Sequence, residues 1–354
     1  MEGLEIQDIW KGFGEINVLQ GITFQQKKGE ILALLGPSGS GKTTLLEIIA
    51  GLVEPEQGDC LWNGESLLGV PPHLRNFGLM FQEYVLFPHK DVGENVAFGL
   101  KMAGTDREIT SDRVKEVLDL VGLSGLENRD PATLSGGEQQ RIALARSLAP
   151  EPRLVMLDEP LGALDRSIRE RLIGELHDIL KKSSQTALYV THDQEEAFRI
   201  ADRVVILGNG RTAQIGTPQE IYHQPNSPYI ARFLGMNNLL KGEAKPTSEG
   251  TVLESEIGSW SVNDHHQGSG VILIRPDQVQ VGMADDLRTT SLTGKLTSSS
   301  FSGSAIHLKI EVKSQQLGFS CSDCGMDLPQ TGEPIQISFD PNKALHFFQN
   351  KPLS

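Results

Sequence analysis

Three short stretches of this 354-residue chain concentrate side chains suited to phosphate chemistry. The first runs Gly36-Pro37-Ser38-Gly39-Ser40-Gly41-Lys42-Thr43-Thr44 and fits the pattern G-x-x-x-x-G-K-[S/T]. Its glycines let the backbone approach a ligand closely, and N–H groups at a helix start face an anion. Lys42 supplies a point charge for β- and γ-phosphates, and the Thr43 hydroxyl is of the kind that reaches Mg²⁺. The second stretch, "RLVMLDEP", places four apolar residues, Leu154 to Leu157, before Asp158 and Glu159. Asp158 emerges at the end of a buried strand and suits a Mg²⁺ position, while Glu159 can polarise an attacking water as general base. The third, "LSGGEQ", pairs the good N-cap residue Ser135 with Gly136, Gly137 and Glu138. It reads as a second helix N-terminus shaped to meet an anion, although the first loop alone suffices for one nucleotide.

These groups need a scaffold that converges on them. "EILALLG" is a short buried strand feeding the first loop, and "TTLLEIIAGL" follows with helical spacing that ends near Gly51. Residues 4–24 alternate loosely and predict antiparallel strands. From Asp91 to Ser147 the pattern is mainly helical, opened by Asp91 and Glu94 as a capping box in its Asp form. "RLVMLDEP", "ALYVTHD" and "DRVVILGNG" read as buried strands, the last turning at Asn209-Gly210. Strands alternating with helices imply an α/β class with a mostly parallel sheet. After about Leu240, Ser, Thr and Gly become frequent and short β runs appear, "GVILIRP", "AIHLKIEV" and "EPIQISFD", which predict a separate small β-domain. "TSSSFSGS", residues 297–304, reads as a flexible turn.

Bulk properties narrow the function classes. The net charge is −14, with hydrophobic and charged fractions of 38% and 22%. Split at Leu240, both parts of the chain are acidic, which disfavours a nucleic-acid surface. No apolar run approaches the roughly 20 residues that span a bilayer. The start "MEGLEIQDIW" has neither the basic nor the apolar region of a signal peptide. Three cysteines, Cys60, Cys321 and Cys324, fit a reducing compartment. Cys321 and Cys324 form a C-x-x-C with no second ligand pair and read as two thiols in or beside a turn.

Together the segments resemble the ATPase subunit of an ABC (ATP-binding cassette) transporter, over residues 1–239. Gly36 to Thr44 resemble the Walker A loop, Asp158 the Walker B carboxylate and Glu159 the catalytic glutamate. Ser135 to Glu138 resemble the ABC signature, Gln82 the Q-loop glutamine, Gly162 to Asp165 the D-loop and His192 the switch histidine. Phe13 stands where the family places an aromatic against adenine; as a lone residue it would more often be core. The resemblance implies a P-loop NTPase cassette with a helical subdomain near 84–150 and an antiparallel β subdomain. A small all-β, OB-like accessory domain, 240–354, would follow; "IRPDQVQV" resembles such domains, and the match fades between Thr297 and Pro329.

The family's ATPases pair head to tail, which implies that Ser135 and Gly137 cap the γ-phosphate bound by a second ATPase subunit. ATP and Mg²⁺ are the implied cofactors, with Thr43, Gln82 and Asp158 around the ion and Asp165 linking the two sites. Three features depart from the common pattern: Gly162 opens the D-loop, Glu138 ends the signature, and Lys90-Asp91 follow "LFPH". "MFQEYVLFPHKDVGENVAFGL" and "GTPQEIYHQPNSPYIARFLGMNNLL" resemble bacterial importers. The implied partners are two transmembrane permease subunits and an extracytoplasmic solute-binding protein, at the cytoplasmic face of the membrane. Ferric iron, polyamine or thiamine is favoured as solute over sulfate, molybdate or sugar. A soluble ABC ATPase acting on DNA or ribosomes and an exporter ATPase are the alternatives. One cassette, no heptad run, no fused spans and an acidic balance argue against both.

Overall fold

The computed structural model describes residues 2–83, 85–162, 166–282, 289–321 and 328–350, with the backbone alone for 166–168. It divides into two compact units, Met1–His223 and Gln224–Ser354.

The first unit contains strands β1 (Gly3–Phe13), β2 (Ile16–Lys27), β3 (Ile31–Leu35), β4 (Gln57–Trp62), β5 (Glu65–Ser66), β6 (Phe77–Met80), β7 (Leu154–Asp158), β8 (Ala187–Thr191), β9 (Arg203–Gly208) and β10 (Arg211–Gly216). Its helices are α1 (Lys42–Ala50), α2 (Val92–Val96), α3 (Phe98–Met102), α4 (Arg107–Leu120), α5 (Gly136–Leu148), α6 (Arg166–Lys182), α7 (Gln194–Ile200) and α8 (Pro218–His223). The expected antiparallel strands near the start are β1 and β2, which join β4 and β5 in a four-stranded sheet of order β2-β1-β4-β5. The central sheet has order β10-β9-β3-β8-β7-β6. Its β9-β3-β8-β7-β6 pairings are parallel, and the β9–β10 hairpin, turning at Asn209 and Gly210 with φ of 50° and 72°, is antiparallel.

Period-two alternation sends successive central-strand residues to opposite faces. Leu32, Leu34, Leu154, Met156, Leu188 and Val190 pack on one face with Leu45, Leu46, Ile48 and Ile49 of α1 and with Leu4, Ile6 and Ile9 of β1. Ile31, Val155, Leu157, Ala187 and Tyr189 face the other core, which holds Val117 and Leu118 of α4 and Ile142 to Ala145 of α5. The helix α1 is thus clamped between two sheets. Its C-terminus is fixed by Gly51 at φ 81° and by Arg75, whose buried guanidinium donates to the carbonyls of Ile48 (3.0 Å) and Ile49 (2.8 Å). The Asp91 cap forms as expected, with Glu94 N donating to Asp91 Oδ1 at 2.7 Å.

The second unit begins with α9 (Pro228–Phe233) and continues through β11 (Leu239–Thr247), β12 (Gly250–Ser255), β13 (Ser259–Val262), β14 (Gly268–Ile274), β15 (Gln280–Val281), β16 (Thr290–Phe301), β17 (Ile306–Val312), β18 (Gln315–Cys321), β19 (Pro334–Phe339), α10 (Pro341–Ala344) and β20 (Leu345–Gln349). Two antiparallel five-stranded sheets, β13-β12-β11-β14-β20 and β15-β19-β16-β17-β18, share one apolar core. The stretch 297–304 is mostly strand, not flexible turn: Ser298 to Phe301 pair with Lys309 to Ile306, and the reversal is confined to Ser302–Ala305, where Ser302 N donates to Ala305 O at 2.9 Å. Serine-rich composition masked a paired strand whose face carries little apolar signal. Cys321 ends β18, buried, and Cys324 lies outside the described residues.

Among the described residues, no helix is long and apolar enough to cross a membrane.

Candidate nucleotide-hydrolysis site

Four parallel strands deliver the predicted groups to one edge of the central sheet. Ligands of open α/β sheets sit at the carboxyl ends of such strands. The Gly36–Gly41 loop leaves β3, Gln82 follows β6, Asp158 ends β7 with Glu159 next, and His192 follows β8. The strand order β3-β8-β7-β6 makes these ends neighbours.

The loop after β3 depends on its glycines. Gly41, at φ 95°, is the N-cap of α1 and offers no side-chain cap, so the first N–H groups of α1 are left for a ligand. A Cβ on Gly41 would stand 2.5 Å from Leu19 Cδ2, and one on Gly36 would stand 2.6 Å from Leu207 O. Pro37, Ser38 and Gly39 are exposed, Gly39 at φ 79° with open space around it. Lys42 folds back so that Nζ donates to the carbonyls of Gly36 (2.9 Å) and Pro37 (3.1 Å). Burial lowers its pKa, opposed by the charges of Glu159 and Asp158. Thr43 is exposed and Thr44 half-buried.

Asp158 accepts a hydrogen bond from the Thr43 side chain. Its carboxyl is buried, and burial first and the Glu159 charge second push its pKa up, with Lys42 pulling the other way. Asp158 Oδ1 and Ser40 Oγ are buried without hydrogen-bond partners. Each such orphan costs about 1–3 kcal/mol, a cost that a bound ligand can relieve.

Glu159 has a left-handed backbone, φ 44°. It is held there by its own N–H, which donates to Val190 O at 2.9 Å, and by its carbonyl, which accepts from Gly162 N at 3.1 Å. That turn brings its Oε1 to 3.1 Å from His192 Nδ1. Gln82 Nε2 lies 3.7 Å from where a Cβ on Gly162 would stand, so the Gln82 and Glu159 loops meet at Gly162. Phe13, at the end of β1, is 51% exposed with Lys11 Nζ 5.4 Å from its ring centroid, which sets it apart from core aromatics.

The third predicted segment makes its contacts locally. Ser135 caps α5: Glu138 N donates to Ser135 Oγ at 3.4 Å, while Ser135 N (2.9 Å) and Oγ (2.7 Å) donate to Glu138 Oε2. Those bonds hold the exposed Glu138 carboxyl below its ordinary pKa. Gly136 and Gly137 form the first turn, and a Cβ on Gly137 would meet Leu172 of α6 at 3.7 Å. Among the described residues, no hydrogen bond or ion pair joins Ser135–Glu138 to the Gly36–Thr44 loop. The structure therefore brings together Lys42, Thr43, Asp158, Glu159, His192 and Gln82, and leaves Ser135, Gly136, Gly137 and Glu138 apart from them. Asp165 lies outside the described residues.

Sequence reasoning missed the buried network around Glu196, which receives Tyr189 and Thr191 hydroxyls at 2.9 Å each. Glu195 and Glu196 are adjacent and chemically alike in the sequence, and only the fold shows that Glu196 is the one that turns inward.

Comparison with known proteins agrees with this geometry. A family model described as "ABC transporter" matches residues 19–162, and one described as "TOBE domain" matches residues 272–347. An Fe(3+) ions import ATP-binding protein of Streptomyces avermitilis is 47% identical over 334 residues, covering 93% of this chain and 93% of that protein. A spermidine/putrescine import ATP-binding protein of Clostridioides difficile is 42% identical over 313 residues, 87% of this chain and 88% of that one. Among solved structures, cbiO1 of Clostridium perfringens, part of the ABC transporter complex cbiONQ, superposes with a TM-score of 0.59 at 27% identity, over 63% of this chain and 92% of that one. A dimeric ATP-binding cassette bound to ADP and Pi gives a TM-score of 0.54 at 30% identity, over 61% and 98%. With its phosphate loop, its Asp158–Glu159 strand end and its β-rich second unit, this chain belongs to the ABC transporter family, among the ATP-hydrolysing, ATP-binding proteins of import systems.

Proposed function

We propose that this chain energises solute import as one half of an ATPase dimer on the cytoplasmic face of the membrane. Two transmembrane permease subunits and an extracytoplasmic solute-binding protein would complete the system. Residues 1–239 form the ATPase and 240–354 the accessory domain. The observation that carries the reading is the meeting of Lys42, Thr43, Asp158, Glu159 and His192 at one sheet edge, with Glu159 and His192 at 3.1 Å.

The phosphates of ATP take the place of the Gly36 and Pro37 carbonyls as partners of Lys42, and the N–H groups of residues 39–44 cradle them. Phe13 stacks on adenine. The orphaned Asp158 Oδ1 beside the Thr43 hydroxyl offers hard oxygen donors that fit Mg²⁺, with Gln82 completing the protein's share. When bound, the ion neutralises charge on the β- and γ-phosphates. Glu159 takes a proton from the water that attacks the γ-phosphorus, as ADP leaves. His192 holds Glu159 and contacts the γ-phosphate. Ser135, Gly136, Gly137 and Glu138 serve the partner's nucleotide, and Asp165 links the two sites.

Ferric iron is the first candidate solute and polyamine the second, following the named relatives at 47% and 42% identity. The same relatives favour import over action on DNA or ribosomes. The test is gentle extraction from native membranes with identification of what accompanies the chain. Two multi-span subunits and a binding protein that takes up ferric iron support the reading; recovery with soluble partners alone overturns it.

A further inference from the structure

The residues on either side of His192 are anchored to a buried carboxylate that the reaction itself does not touch. Thr191 Oγ1 donates to Glu196 Oε2 at 2.9 Å and accepts from Asp193 N at 3.0 Å. Asp193 Oδ1 caps α7 by accepting from Glu195 N (2.8 Å) and Glu196 N (3.2 Å). The hydroxyl of Tyr189, itself fully buried, also donates to Glu196 Oε2, at 2.9 Å. Arg169 closes the ring from α6: its Nη1 donates to Asp193 Oδ2 at 3.2 Å, and its Nε lies 3.4 Å from Glu196 Oε1. Glu196 is 5% exposed, while the His192 side chain is 54% exposed.

A histidine this exposed, with one close carboxylate partner, is not fixed by packing. Its loop must be fixed from below. A buried carboxyl group is an expensive fixture, and apolar residues of the same volume are often as stable or more so. What the carboxyl group supplies is direction: two hydroxyls converge on one oxygen, and the Arg169 guanidinium lies within ion-pair distance of the other.

Resting on the reading of His192 given above, we infer that Glu196 is a positioning residue for ATP hydrolysis. It holds the Thr191–Asp193 segment so that His192 meets Glu159 and the γ-phosphate, with Arg169 tying that segment to α6. Misplacement of a reacting group by about 1 Å can cost of the order of 100-fold in rate.

The experiment is a double-mutant cycle on ATP turnover by the full chain. Glu196→Gln keeps the side chain's shape and removes its charge; Tyr189→Phe removes one hydroxyl and is the second variant should the first fold poorly. In the parent, each should lower kcat by roughly 10–100-fold while KM for ATP moves less than about twofold. In a His192→Ala background the same substitutions should change the residual kcat by less than about twofold, because the group they position is gone. Equal losses in both backgrounds would overturn the inference while leaving the site reading intact. Near-normal turnover of His192→Ala alone would overturn the site reading, and this one with it.

Discussion

Replacing Glu159 by Gln is the most direct perturbation of the site, because the structure keeps everything else in place. The Glu159 N–H bond to Val190 and its carbonyl bond from Gly162 involve backbone atoms, so the turn at φ 44° survives the change. The side chain keeps its volume. What disappears is the carboxylate that accepts a proton and the charge that meets His192 at 3.1 Å. Loss of a general base costs about 10²–10⁴ in rate, which at 1.36 kcal/mol per tenfold is roughly 2.7–5.5 kcal/mol of transition-state stabilisation. Binding should move the other way. The Glu159 charge raises the Asp158 pKa and opposes an incoming polyanion, so its removal should leave ATP affinity unchanged or tighter. The variant should therefore bind ATP, turn over about 10²–10⁴ times more slowly and accumulate as a nucleotide-bound dimer. Phosphate release gives kcat, equilibrium titration gives affinity and size-exclusion chromatography with ATP gives the dimer. Turnover within about threefold of the parent would refute the general-base assignment.

Three further outcomes follow from other contacts. A mixture of Ser135→Arg and Lys42→Ala chains should form heterodimers with at most one competent composite site; normal hydrolysis by Ser135→Arg alone would sink the idea of capping across the dimer. Arg75→Met should cost about 1–3 kcal/mol in denaturant unfolding of the full chain, because it leaves buried carbonyls without a donor. The buried guanidinium satisfies carbonyls of Ile48, Ile49, Leu67 and Val70, and a loss below about 1 kcal/mol would show that water replaces it freely. Asp158 has its folded pKa raised above the ordinary 3.8, so the fold favours its protonated form. Its cost is absent well below that ordinary value, grows as pH rises through the folded pKa and is complete above it. Asp158→Asn should thus raise the unfolding temperature of the nucleotide-free protein at neutral pH while abolishing the further rise produced by ATP with Mg²⁺. A lower unfolding temperature would contradict the sign.

The parts of the site legible in the sequence were those whose chemistry is local. The phosphate loop needs glycine at positions such as Gly41, where a left-handed φ of 95° and the nearby Leu19 exclude a side chain, so its letters carry its shape. Buried parallel strands announce themselves as unbroken apolar runs, as in Leu154 to Leu157, with function at the residue after. Ser135 marks the start of α5 in the sequence as an N-cap residue, but the letters do not show that Glu138 binds back onto it. Two classes of residue stayed hidden. Arg75 acts on carbonyls of Ile48 and Ile49, more than twenty positions back in the chain, and no spacing rule reports such a bond. Glu196 sits among acidic neighbours, and its inward turn follows from where Tyr189 and Arg169 arrive in space. The β-domain was legible as a class, yet the serine-rich length of β16 hid because its strand is specified by a partner and not by its own letters.

The backbone of Glu159 has a consequence for anyone who engineers this protein. A side chain held in the left-handed region costs about 1–2 kcal/mol relative to glycine, which adopts it freely. Glycine at that position would therefore make a sturdier molecule and, on the present reading, an inert one. A campaign that ranks variants by heat resistance alone would select against the glutamate early, and each apparent improvement there would be a transporter motor losing its stroke.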